Sequence, residues 1–236
     1  MGGVEGCSPV WAGRMSIHPL RTINLPLSTH AWTDLVRQAM NQKQWLVAEG
    51  ALLRLLAMGG DPRTVLDALG YALLMQGHYL RAQQVLERAL QEGSRSFWTS
   101  HKLADALVGQ QRFSDAIAAY EKALVDGSDS PLTVRNLLST LEKVQTGSSL
   151  QRVNQQLPPL PGFWMEGIAQ AARMLASPQL ATWLLDQGRI DSDLARLAWR
   201  SALLQMNIAE AMRLVEICDG SAPAIAWRTR LQSLLN

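Results

Sequence analysis

Residues 66–93 read LDALGYALLMQGHYLRAQQVLERALQEG, and the spacing of their apolar side chains decides the fold. Leu66, Leu69, Gly70, Leu73 and Leu74 stand at i, i+3, i+4, i+7 and i+8, which is one face of a helix. Gln76-Gly77-His78 interrupts that face. A second helix is predicted from about Tyr79 to Gln91, with Ala82, Val85, Leu86, Ala89 and Leu90 inward. Gly93 follows it, where a left-handed C-cap costs little because glycine has no Cβ. The stretch is thus two helices joined by a turn.

The same unit recurs on both sides. Leu35, Leu69, Leu103 and Leu137 are 34 apart, as are Trp45, Tyr79 and Phe113. So are Ala48, Ala82 and Ala116, Gln42, Gln76 and Gln110, and Gly59, Gly93 and Gly127. A fixed period of this size marks a repeat architecture, in which each unit buries its apolar face only by stacking on its neighbours. The expected fold is all-α, an α-solenoid of stacked antiparallel helix hairpins. The alanine columns, with Ala89 and Ala123, are read as places where helix axes approach closely. Asp61-Pro62 and Ser130-Pro131 read as an N-cap followed by proline at the first helical position.

These residues resemble the tetratricopeptide repeat. That family carries Trp, Leu, Gly and Tyr at set places on the first helix, Gly and an aromatic at the turn, and Ala, an aromatic or Leu, and Ala on the second helix. Trp32, Leu35, Trp45, Ala48 and Leu52 match in the first unit, and Leu69, Gly70, Gly77, Tyr79, Ala82, Leu86 and Ala89 in the second. Leu103, Ala104, Phe113, Ala116, Tyr120 and Ala123 match in the third. The family's closing proline is replaced by Gly60, Ser94 and Ser128, so a looser turn between units is expected. A related RNA-reading repeat has a period one residue longer, against which three intervals of 34 argue.

The resemblance implies a concave groove, lined by the first helices of successive units, that holds a peptide or helix of a partner. Its positions lie on one stripe of each first helix. In register they are His30, Thr33, Arg37, Met40 and Asn41, then Thr64, Asp67, Tyr71, Leu74 and Met75. The third unit gives Trp98, His101, Asp105, Val108 and Gly109, and the fourth Leu132, Arg135, Ser139, Glu142 and Lys143. Arg37, Met40, Asn41, Asp67, Tyr71, Met75, Trp98, His101, Asp105 and Arg135 are the expected protein-binding residues, since aromatic and Arg side chains supply much of the affinity in such contacts. The competing reading packs Tyr71 and Trp98 on a neighbouring helix or on the proline-rich segment, pairs or solvates Arg37 and Asp67, and sets Met75 in a core gap. The family's two-carboxylate clamp for chaperone tails is not matched: Thr33, Arg37, Ala68 and Trp98 stand at its places, and Lys102 alone fits.

Along the chain, 1–28 lacks periodicity and reads as an unstructured or loosely docked lead-in, with Met15 as an alternative start. It holds no apolar run of the roughly 7–15 residues of a secretory signal, and nowhere do the roughly 20 apolar residues of a membrane span follow one another. The units run about 29–62, 63–96, 97–130 and, in part, 131–157, with regular repeats over 29–144. A proline-rich break at 158–162 precedes divergent helical repeats over 163–236. These are expected at 163–177, 178–187, 191–206 and 208–218, with a capping helix at about 222–235.

Chemistry-bearing patterns are few. Lys+Arg 22 against Asp+Glu 20 leaves +2, and 29–144 holds 12 of each sign, so the clustered positive charge of a nucleic-acid binder is missing. Cys7 and Cys218 supply neither a disulfide framework nor a metal set. His18, His30, His78 and His101 include no pair at i, i+4, and no phosphate loop or nucleophile motif is present. The expectation is a cytoplasmic, non-enzymatic scaffold or adaptor that needs no cofactor or metal, binds a protein and not nucleic acid, and serves assembly of a larger complex. The alternative is an accessory subunit of an enzyme system such as a glycosyltransferase, secretion or membrane-complex assembly machine. An RNA-binding helical repeat is the third and weakest reading.

Overall fold

The structure, a computed structural model, describes residues 28–156, 159–189, 191–217 and 229. The lead-in up to residue 27, Cys7, Cys218 and, apart from residue 229, the expected capping helix lie outside these residues. Twelve helices and no strand are present among them. They are α1 (Thr29–Asn41), α2 (Trp45–Ala57), α3 (Pro62–Met75), α4 (Tyr79–Gln91), α5 (Phe97–Gly109) and α6 (Phe113–Val125). There follow α7 (Pro131–Val144), α8 (Ser148–Asn154), α9 (Gly162–Met174), α10 (Pro178–Asp186), α11 (Ser192–Leu204) and α12 (Ile208–Ile217). Successive helices pack in an α-solenoid of antiparallel hairpins, as expected. α9, α10 and α11 end one to three residues before the sequence reading placed them, because the residues past each of those ends form the turn.

The caps follow the side-chain chemistry. Asp61 accepts from the Arg63 N–H and Ser130 from the Leu132 N–H, with Pro62 and Pro131 opening α3 and α7. Ser177 and Asp191 do the same for α10 and α11. Each satisfies an N–H that the helix cannot bond itself.

The turns are more regular than the sequence. Gly59, Gly93, Gly127 and Gly188 are left-handed, with φ of 83°, 90°, 97° and 78°. Behind them the N–H groups of Gly60, Ser94, Ser128 and Arg189 reach back to carbonyls five residues earlier at 2.9–3.0 Å. This is the Schellman closure of a helix end. It corrects the expectation of a loose inter-unit turn: a proline at 60, 94 or 128 would delete the N–H that closes it. The same closure joins the two helices of a unit at Gly77, and also at Lys43, Gln111, Ala176 and Met206, which are left-handed without being glycine.

The conserved period has a tertiary reason in each column. Ala48, Ala82, Ala116, Ala89 and Ala123 are all fully buried. The glutamines bridge units across the outer side: Gln76 Nε2 donates to Glu49 Oε2 at 2.9 Å, and Gln110 Nε2 to Gln83 Oε1 at 2.9 Å. The turn aromatics reach the next unit's first helix. Trp45 meets Tyr71 edge-on at 5.7 Å, and the Tyr79 ring fills the space a Cβ on Gly109 would need. Phe113 lies under Lys143 Nζ at 5.4 Å.

The core is continuous through α7. One cluster joins α1 to α4, another joins α5 to α7 through Leu137, and a third takes Val134 and Leu138 of α7 together with Trp164 and Ile168 of α9 and residues through α12. The two proximal helices of that third cluster touch closely, since a Cβ on Gly167 would stand 2.5 Å from Val134 Cβ and 2.7 Å from the Pro131 carbonyl oxygen. The short α8 packs beside this α7–α9 contact.

Ala82 is fully buried between helices, so Ala82→Leu must overpack the contact. The expected cost is about 1–3 kcal/mol in urea unfolding; equal stability of variant and parent would remove the alanine column from the account.

Candidate protein-binding groove

The groove stripe of α1, α3, α5 and α7 divides into residues that hold the units together and residues left open. At the α1 end, Arg37 is exposed and pairs with Asp34 at 2.9 Å, Asn41 is exposed, and Met40 packs on the first core cluster. Arg37 and Asp67 do not pair with each other. Asp67 instead accepts from Thr99 Oγ1 at 2.8 Å and from Lys102 Nζ at 2.5 Å, which ties α3 to α5. Tyr71 is half-buried beneath Lys102 Nζ at 5.6 Å, and Met75 is 45% exposed.

One unit further on, the tie repeats with a different partner for the threonine. His101 stands 34 residues after Asp67, and its Nδ1 lies 2.9 Å from Thr133 Oγ1 of α7. Ser128 bonds Thr133 as Ser94 bonds Thr99, each at 2.9 Å. His101 is only 2% exposed, so its ring is a strut between α5 and α7, covered at its edge by Trp98 at 5.2 Å. Trp98 itself is 37% exposed. The hydroxyl–imidazole–carboxylate order Thr133–His101–Asp105, with Nε2 3.4 Å from Asp105 Oδ2, has the sequence of groups used in nucleophilic catalysis. Thr133, however, is fully buried and shares its hydroxyl with Ser128.

Asp105 is the junction of three helices. Its Oδ1 accepts from the Tyr120 hydroxyl of α6 in a short hydrogen bond and from Asn136 Nδ2 of α7 at 3.0 Å. Arg135 donates to Asn136 Oδ1 through Nε and Nη2, at 3.0 and 2.8 Å. Tyr120 is 1% exposed. Burial, and then the charge of Asp105 and the bond to it, push its phenol well above the ordinary value of 10.0.

Beside this junction the groove opens into a cavity of about 460 Å³. Asp105, Val108, Ser139, Glu142 and Lys143, all on the expected stripe, line it together with Met174 at the end of α9. Glu142 spends its carboxylate on the Gly147 and Ser149 N–H groups and the Ser149 hydroxyl at the start of α8, so it anchors that helix beside the cavity. Tyr120, Asn136 and the Thr99–Thr133 pair were not anticipated as site residues. The threonines stand 34 apart, as do Ser94 and Ser128, so their columns were available in the sequence. Among the described residues no group of three or more His, Cys, Asp or Glu is placed to hold a metal ion, and no helix is long and apolar enough to cross a membrane.

Stacked hairpins that present a row of first helices around an open furrow define a helical-repeat scaffold. Residues 73–140 match the family model described as tetratricopeptide repeat. The chain therefore contains a tetratricopeptide-repeat segment, and the matched residues make up less than a third of its length. In fold it is similar to a tetratricopeptide repeat protein from Parabacteroides merdae ATCC 43184, with a TM-score of 0.51 at 14% identity over 88% of this chain and 86% of that one. A match to the structure of Naa15/Naa10 bound to HypK-THB has a TM-score of 0.48 at 16% identity and covers 89% of this chain but 35% of that one. Comparison with curated proteins gives no match in sequence.

Removing the Tyr120 hydroxyl leaves Asp105 Oδ1 with Asn136 alone, so Tyr120→Phe should cost about 1–3 kcal/mol at neutral pH. Because the folded phenol holds its proton above the unfolded value of 10.0, its contribution is complete below that pH and is lost progressively as pH rises from there toward the folded value. The gap between parent and variant should therefore hold up to about pH 9 and narrow steadily above about pH 10, by roughly 1.4 kcal/mol for each further pH unit. A gap that stays constant in chemical unfolding across this range would separate the tyrosine from Asp105.

Proposed function

We propose that this protein is a non-enzymatic scaffold that holds a segment of a partner protein in the groove of α1, α3, α5 and α7, in the assembly of a larger complex. The observation that carries this reading is the 460 Å³ cavity on the groove stripe, walled by Val108 and Met174 and floored by the Asp105–Tyr120–Asn136 junction. A cavity of a few hundred Å³ with apolar walls and a few fixed polar groups suits the side chains of a bound segment. The floor is held by hydrogen bonds from three helices, so it needs no rearrangement to receive them. The balanced charge of the repeats favours protein over nucleic acid as the partner, and the reading places the chain in the cytoplasm.

A photo-crosslinking residue tests it at two positions, Met174 in the groove and Leu80 on α4, which is 59% exposed away from the stripe. Irradiation in the native host's lysate is expected to attach a discrete partner from position 174 and not from 80. Attachment from 80 with none from 174 would move the interaction to the outer face.

A further inference from the structure

The left-handed residue that ends each first helix gives a register for the divergent half. Aligning Met206 with Lys43 makes α11 a first helix, and places Asp193, Arg196, Arg200 and Leu204 where α1 has His30, Thr33, Arg37 and Asn41. These four residues line one cavity of about 500 Å³, together with Ala176 of the α9–α10 turn and Leu197. The groove stripe therefore continues past the α7–α9 contact to α11, with a second cavity at its far end.

Charge distinguishes this end. Arg152, Arg173, Arg189 and Arg213 are each held by a carboxylate on another helix or loop, at 3.3, 2.5, 2.5 and 2.7 Å. Arg189 holds Glu166 well below the ordinary carboxylate range, with Gln170 assisting. Among the described residues Arg196 has only Asp193 of its own helix, at 3.6 Å with both side chains more than half exposed. Arg200 has no carboxylate partner among the described residues. In α1 the register equivalent of Arg200, Arg37, is neutralised by Asp34. Beside the two guanidinium groups stand Leu197, half-buried, and Leu204, 87% exposed.

We propose that the α11 end of the groove binds an acidic segment of the partner protein, with an apolar residue adjacent to its carboxylates. The inference rests on the groove reading above and adds the chemistry of what is held. Each guanidinium offers a planar fork that matches a carboxylate. Leu204 and Leu197 supply the apolar seat, and the excess of positive charge selects acidic over neutral or basic segments.

The test uses the full chain and a fluorescein-labelled, C-terminally amidated Gly/Ser peptide carrying Glu-Leu-Glu at its centre, read by anisotropy. The parent is expected to bind it at least tenfold more tightly than a Gln-Leu-Gln peptide, with binding that weakens as salt rises. Arg196→Gln with Arg200→Gln should lose that preference, while Arg95→Gln, an exposed arginine in the α4–α5 turn, far along the chain from α11, should keep it. Failure to bind, equal binding of the Glu and Gln peptides, an equal loss with Arg95→Gln, or displacement by polyuridylate at matched charge would each overturn the proposal. Crosslinking from position 174 would persist in those cases if the groove reading alone is correct.

Discussion

Every regular hairpin here depends on one local constraint: a residue in the left-handed region, followed by an N–H that returns to the carbonyl five residues back. The closure satisfies carbonyls at the helix end and fixes the direction in which the next helix leaves. Repeated at nine positions with bonds of 2.8–3.0 Å, it sets hairpin after hairpin at similar angles, so that small residues in the same columns meet again and again. α7 ends differently, with Gln145 extended at φ −155°. There the second helix is reduced to seven residues, α8, and α9 packs on α7 in its vicinity.

Between units the solenoid is joined by polar ties that run along the groove side. Asp67 meets Thr99, and His101 meets Thr133, and each threonine hydroxyl is also bonded to a serine five residues earlier. Such bonds add modest net stability but are costly to leave unmade once buried, so they fix how far one hairpin slides against the next. They also consume groove charge. Asp67 takes Lys102, and Asp105 takes Tyr120 and Asn136. The groove's middle thereby holds fixed, internally bonded polar groups beside Lys143, and a further pair of open cations, Arg196 and Arg200, stands at α11.

The helices and turns of 29–144 were legible because identity recurs at the positions that matter: alanine where axes touch, glycine where φ is positive, an aromatic where the turn meets the next unit. The groove was legible in direction only. A stripe gives the angle at which a side chain leaves its helix, not the depth to which the neighbouring helix covers it, which is why His101 belongs to the stripe and yet is buried by Thr133 and Trp98. The regularity of the second half was hidden for another reason. Its left-handed turn residues Ala176 and Met206 are followed by Pro178 and Ile208 where the regular units carry Trp45, Tyr79 and Phe113, so the aromatic column is lost, and Gly167 reads as an ordinary helical residue until Val134 is seen against it.

The central claim is that both halves form one continuous stack, joined where α9 approaches α7 at Gly167. Glycine to alanine inside an exposed helix stabilises by about 0.5–1 kcal/mol, as expected of Gly50→Ala, where a Cβ meets nothing within 4 Å. Hydrogen exchange on Gly167→Ala should show the reverse: amides of α9–α12 lose protection while those of α1–α4 keep theirs, because the added methyl collides with Val134 and the Pro131 carbonyl. Unchanged or improved protection of α9–α12 would contradict the join and, with it, a groove that runs through both halves.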